Sequence, residues 1–394
     1  MWTVPKNLLL VFILLFSIGI PFVGSRYGVR VEQLFIYGFA IAFLPYFFLK
    51  SNVLKNKYIL LVGIFFIIFL PIYLKITNSL SYYSVYQGFF RIFGFSVLGY
   101  LFANYYSYAK FYKGVIGLSF VFLVFAYFQM YHIFSFNNIF RILYDGGIEA
   151  RLYDQLPTTV FGLAEYTSSF ILFSFVPFYV YFLDKNMFNK IVTIPILFLF
   201  IYFFIISEAR SALVATIYMI FFYFLLRNSL KHKNKFFNIS LFFAIIGIVS
   251  TVYFYQVLIN SEDLLEKSLY LRLKVTWAKP IIDWLSSPMN FIYGFGLNNN
   301  YADSGYTSFL GAFGLLGFTL FYLPIILLVI ELKKDYIRDK YLTYFYYTTI
   351  LLLIVNITYP VFTGGKFADI YWLMFGATVK YLIYYKKELR NKAI

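Results

Sequence analysis

Residues 272–317, RLKVTWAKPIIDWLSSPMNFIYGFGLNNNYADSGYTSFLGAFGLLG, set the reading of the whole chain. The stretch opens basic and Trp-containing, passes through a Gly-Phe-Gly and Asn-rich turn, presents Asp303, and re-enters an apolar helix paced by Gly311, Gly314 and Gly317. A polar break of this kind, followed at once by an unbroken apolar run, is what a chain leaving and re-entering a membrane looks like. Almost everything outside it is apolar.

The chain has 394 residues, of which 62% are hydrophobic, and a mean hydropathy of +0.76, values that exclude soluble domains. Apolar runs of roughly 17 to 23 residues recur from end to end, each long enough to cross a hydrocarbon layer about 30 Å thick as a helix. The expected fold is an all-α polytopic membrane protein in one integral membrane domain, residues 1–394. The 53 Phe and 40 Tyr suit such a chain: rings with one polar edge settle at headgroup level, and the rest fill core. With no cysteine there is no disulfide frame and no thiolate nucleophile. The histidines, His132 and His232, lie a hundred positions apart, so no histidine metal cluster is expected. A net charge of +16 invites a nucleic-acid reading, but the basic residues are spread over short loops and nucleic acid is not an expected partner.

Twelve transmembrane helices are expected, at about 7–23, 33–49, 58–74, 83–102, 114–134, 160–183, 191–206, 211–226, 237–258, 305–330, 341–362 and 368–385. The first is read as a retained helix, since it runs into Gly-Ser-Arg-Tyr instead of a small-residue cleavage site. With both termini in the cytoplasm the inner loops hold 21 of the 33 Lys and Arg, which satisfies the positive-inside rule. The two sides also differ in kind: 18 Lys against 3 Arg inside, 5 Lys against 7 Arg outside. Ammonium groups suffice to hold a topology, whereas guanidinium forks suit bidentate binding of phosphate, so the outer face is expected to be the working face.

Two outer loops are long, 135–159 and 259–304. In the second, Ser261 caps a helix whose Leu265, Leu269, Leu273, Trp277 and Ile281 recur every four residues, the pattern of an amphipathic helix lying on the membrane surface and ending near Pro280. Arg151, Arg210 and Arg272 fall on the outer side, where convergent guanidinium groups imply an anionic ligand, diphosphate above all; Lys274 accompanies them. Each also has a plain alternative: Arg151 with Asp154 or Glu149, Arg210 with Glu208, Arg272 as an interfacial anchor. Arg91 and Glu165 fall inside spans, where charge is costly and faces either a partner, each other included, or a wet cavity. Asp303 is either the cap of the tenth helix or a general base for an acceptor hydroxyl.

In these residues the chain resembles the O-antigen polymerases, within the superfamily that also contains the O-antigen ligases. The resemblance covers about a dozen helices with arginine-bearing outer loops. Its local signatures are RLYDQLPTTVFGLAEYTSS (151–169), SEARSALVA (207–215) and GFGLNNNYADSGYTSFLGAFGLLG (294–317). Where the ligases typically have a His before the Tyr-x-x-x-Leu of that last helix, this chain has Asp303, ahead of Tyr306 and Leu310, which favours the polymerase branch. It departs from the common Glu-Pro-Ser pattern, since Tyr166 and Thr167 follow Glu165. The resemblance implies a metal-independent, cofactor-free membrane glycosyltransferase of the bacterial inner membrane. It would join undecaprenyl-diphosphate-linked repeat units of O-antigen or capsule on the outer face, with a glycan donor, a glycan acceptor and a chain-length regulator protein as partners. Arg151, Arg210, Arg272 and Asp303 would be catalytic, and Arg91, Glu165, Lys274 and Tyr306 would bind substrate. A ligase and, outside enzymology, a lipid-linked oligosaccharide flippase are the alternatives.

Overall fold

The structure, a computed structural model, describes residues 56–76, 82–105, 107–133, 164–184, 187–207, 210–229, 277–296, 304–334 and 339–392. The expected spans at 7–23, 33–49 and 237–258, the loop 135–159 and residues 259–276 of the second long loop lie outside them.

Among the described residues every regular element is helical. In chain order they are α1 (Lys57–Gly63 and Leu70–Ile76, joined through a widened turn Ile64–Phe69), α2 (Tyr82–Tyr105), α3 (Tyr108–Met130), α4 (Ala164–Asp184), α5 (Met187–Ile206), α6 (Arg210–Ser229), the short α7 (Ala278–Leu285) and α8 (Pro288–Tyr293), α9 (Gly305–Leu332), α10 (Lys340–Val355) and α11 (Gly365–Lys392). Three stretches, Lys57–Lys75, Tyr108–Met130 and Gly305–Leu332, are long and apolar enough to cross a bilayer, and four shorter apolar stretches accompany them.

Local sequence explains where these helices begin. Asn56 Oδ1 accepts from the backbone N–H groups of Tyr58 and Ile59 at 3.0 and 3.3 Å, and Asp339 Oδ1 accepts from those of Tyr341 and Leu342 at 2.9 and 3.0 Å. Each cap satisfies donors that a helix start otherwise leaves unpaired. Ser304 caps α9 through Thr307 N–H at 3.3 Å, and Ser287, followed by Pro288, caps α8. The α10 helix stops at Val355, short of the 362 expected from hydropathy, because Pro360 disfavours helical backbone at Tyr359. The α3 helix begins at Tyr108, ahead of its apolar run, since Lys110 and Lys113 are good helix formers that prolong it toward water.

Side-chain contacts set the relative directions. Ser119 ties α3 to α4 through Phe170 O and Ser174 Oγ; Phe65 packs on Phe321 and Tyr73 on Phe313, so α1 opposes α9. Arg91 meets Asp369 and Gly99 meets Leu373, so α2 and α11 run parallel. One end of this bundle gathers Lys110, Lys113, Lys333, Lys334, Lys340, Lys386 and Lys387; the other carries Glu165, the start of α6 at Arg210, and the start of α9.

Candidate functional site

The α2–α11 crossing positions the buried charges. A Cβ at Gly99 would lie 1.8 Å from Leu373 O, and one at Gly376 would lie 1.8 Å from Ser96 O, so the two backbones are in contact across paired glycines. Two turns nearer the lysine-poor end, this crossing brings Arg91 Nε to 2.7 Å from Asp369 Oδ1, with side chains 6% and 1% exposed. Charges this deep are tolerated only when paired. Tyr166, from the first turn of α4, is within electrostatic reach of both Arg91 and Glu165. Its ring meets Tyr359 edge-on at 4.9 Å, and its hydroxyl occupies the space a side chain at Gly364 would need.

A second cluster surrounds the start of α9. Gly305 N–H donates to Asn356 O at 2.9 Å, and Tyr306 hydroxyl donates to Leu353 O at 2.8 Å. Asn356 Nδ2 donates to Tyr322 hydroxyl at 2.7 Å. A Cβ at Gly305 would overlap the Asn356 amide, so glycine is required for this approach. Residues 356–364, which connect α10 to α11, bridge the clusters: Asn356 holds the α9 start, while Tyr359 and Gly364 hold Tyr166. Their irregular backbone is satisfied internally, with Gly364 N–H donating to Pro360 O at 2.9 Å and Trp372 Nε1 donating to Phe362 O at 2.8 Å.

Below the α9 mouth, the Gly-Phe-Gly turn expected at Gly294 and Gly296 is present, with φ of 78° and 94°. It seats in a break of α9 at Gly314, where φ is 62° and ψ is −170°, backbone that glycine alone adopts without strain. Phe295 and Gly296 donate to the carbonyls of Gly311 and Ala312 at 2.9 and 3.3 Å, and Tyr73 hydroxyl donates to Ala312 as well. The glycine pacing therefore serves close approach of the turn, with Phe295 against Gly311 and residues 292–294 against Gly314.

Of the sequence-derived candidates, Arg91, Glu165, Tyr306 and the backbone of Arg210 come to the same, lysine-poor end. Tyr306 spends its hydroxyl proton on Leu353. Arg151, Arg272, Lys274 and Asp303 lie outside the described residues, Asp303 directly before the capping Ser304. Asp369 was not among the candidates. Only Glu165 and Asp369, of the 17 acids, fall within the twelve expected spans, so the membrane cost of Arg91 already pointed to one of them. Asn356 gave no such signal, because a lone Asn past an apolar run reads as a helix end.

These elements define a class, an all-helical chain of multi-pass membrane character with its polar constellation at one end. Comparison with protein-family models, with curated proteins and with solved structures finds no match.

Proposed function

We propose that the protein is a bacterial polysaccharide polymerase that joins undecaprenyl-diphosphate-linked repeat units on the outer face of the inner membrane. The lysine-rich end would be cytoplasmic, with both termini there. The observation that carries this reading is the union of the Gly-Phe-Gly turn with the glycine-paced helix at residues 294–317. That is the stretch in which the resemblance is most specific, and it opens at the end where Arg91, Glu165 and Arg210 lie.

In the reaction, the acceptor hydroxyl oxygen forms a bond to the anomeric carbon of the donor while the bond from that carbon to the lipid diphosphate breaks. The hydroxyl proton passes to Asp303 or Glu165, and the new charge goes to the departing diphosphate. Arg151, Arg210 and Arg272 neutralise that charge as it develops, the step in which fixed guanidinium donors lower the barrier. Lys274 adds charge beside them. Arg91, held by Asp369, and Tyr306 shape the cavity near the α9 mouth.

Arg272→Ala, with protein level verified, is expected to abolish long-chain polymer while single repeat units still reach the cell surface. Accumulation of lipid-linked units on the cytoplasmic face would replace this reading with a flippase. Long lipid-linked polymer without surface attachment would replace it with a ligase.

A further inference from the structure

The Gly-Phe-Gly turn touches α9 well inside that helix, and two lengths fix how deep. The start of α9 is level with the end of α10 through the Gly305–Asn356 bond. The α10 helix has 16 residues from Lys340 at the lysine-rich end, about 24 Å of rise at 1.5 Å per residue. Against a hydrocarbon layer about 30 Å thick, the α9 start therefore lies no higher than the far edge of that layer. Gly314 is nine residues further along, about 13 Å in. The turn seated there lies within the hydrocarbon layer.

The side chains around it fit that depth. On α7 and α8, Ile282, Leu285 and Met289 are 65%, 58% and 65% exposed; the charged Lys279 stands near the start of α7, and the amide and indole groups further along are tied within the segment. Asn290 Nδ2 donates to Asp283 O at 3.2 Å and to Ser286 Oγ at 3.1 Å, and Trp284 Nε1 donates to Phe291 O at 2.8 Å with its ring stacked on Phe291. Apolar side chains outward and internally satisfied polar groups are what hydrocarbon demands. Non-helical backbone at such depth must be covered by protein, and the α9 break supplies that cover through its two freed carbonyls.

Direction completes the argument. The α6 helix ends at the lysine-rich end and α9 starts at the opposite one, so an odd number of crossings separates them, and the apolar run 237–258 supplies one. Residues 259–304 then begin and end on the same side. We infer that 277–296 is a re-entrant segment, dipping into the hydrocarbon layer with Ile282, Leu285 and Met289 against lipid hydrocarbon chains instead of lying along the surface. The inference is independent of the proposed reaction.

The absence of cysteine makes the test direct. Ile282→Cys, Met289→Cys and, as a water-exposed reference, Lys387→Cys are each labelled with a nitroxide and reconstituted in phosphatidylethanolamine–phosphatidylglycerol vesicles. Collisions with oxygen and with a water-soluble nickel chelate are read by power saturation. At 282 and 289, oxygen collisions are expected to persist and nickel collisions to be lost, with the reverse order at 387. Nickel access at 282 and 289 matching that at 387 overturns the inference, as does exclusion of both reagents, which would mean a protein cover. Leu285→Cys replaces either variant if it does not accumulate.

Discussion

Asp369 shows how one residue can organise a membrane site. Its carboxylate is 1% exposed and 2.7 Å from the Arg91 guanidinium, so removing either partner leaves a bare charge in a dry interior. Asp369→Ala is therefore expected to destabilise the protein by about 3–5 kcal/mol, measured by denaturant titration in mixed micelles. The double variant Arg91→Met with Asp369→Leu removes both charges together and is expected to recover most of that loss, since a buried pair exchanged for apolar residues of similar volume is often neutral. If Asp369→Ala unfolded like the parent, the pair would have no structural weight. The double variant also separates stability from function: under the proposed reaction, a stable protein without the Arg91 charge that still lost polymer would give Arg91 a part in the reaction beyond holding the helices together.

At the level of elements, the α2–α11 crossing depends on two glycines, and it determines where Arg91 and Asp369 meet. Gly376→Leu places a branched side chain where a Cβ alone would lie 1.8 Å from Ser96 O, so backbone must move. The expected cost is about 3 kcal/mol, the upper part of the usual overpacking range, with loss of the ion pair as a consequence. Retention of parental stability in the same titration would show that the helices separate freely. Much of this level was legible in the sequence. Apolar runs located the described helices, with ends that differ by up to seven residues, and the expected span 341–362 ran through Pro360, before which α10 in fact stops at Val355. The break at Gly314 was not legible, because glycines three apart in an apolar run read as a packing face of an intact helix. The break exists through a partner, the turn at Gly294–Gly296, and its hydrogen bonds join residues about sixteen positions apart with other structure between. The pairing of Arg91 with Asp369 was likewise not legible: Glu165 was the acid named beside it, and the pairing rests on which helices are neighbours.

Across the whole molecule, charge is sorted by chemistry as well as by number. Ammonium groups crowd one end of the bundle and are expected to hold it against the cytoplasmic leaflet, whereas Arg91 lies toward the other end and Arg151, Arg210 and Arg272 are expected on that side. A glycosyl transfer that releases a lipid diphosphate must neutralise the one negative charge that develops on a group already anionic, and either a divalent cation or a set of arginines can supply that. This chain has no cysteine and two histidines separated by a hundred positions, but it brings seven arginines to the outer side in the expected topology. Guanidinium groups keep their charge at any physiological pH and need no loading step. Purified protein given lipid-linked repeat units should therefore extend polymer at an undiminished rate in EDTA. It should lose activity when Arg151, Arg210 or Arg272 is replaced by Lys, whose single ammonium cannot span two phosphate oxygens. Strict dependence on a divalent ion would sink the arginine mechanism, whereas full activity of all three Lys variants would mean that net charge, and not bidentate geometry, carries the leaving group away.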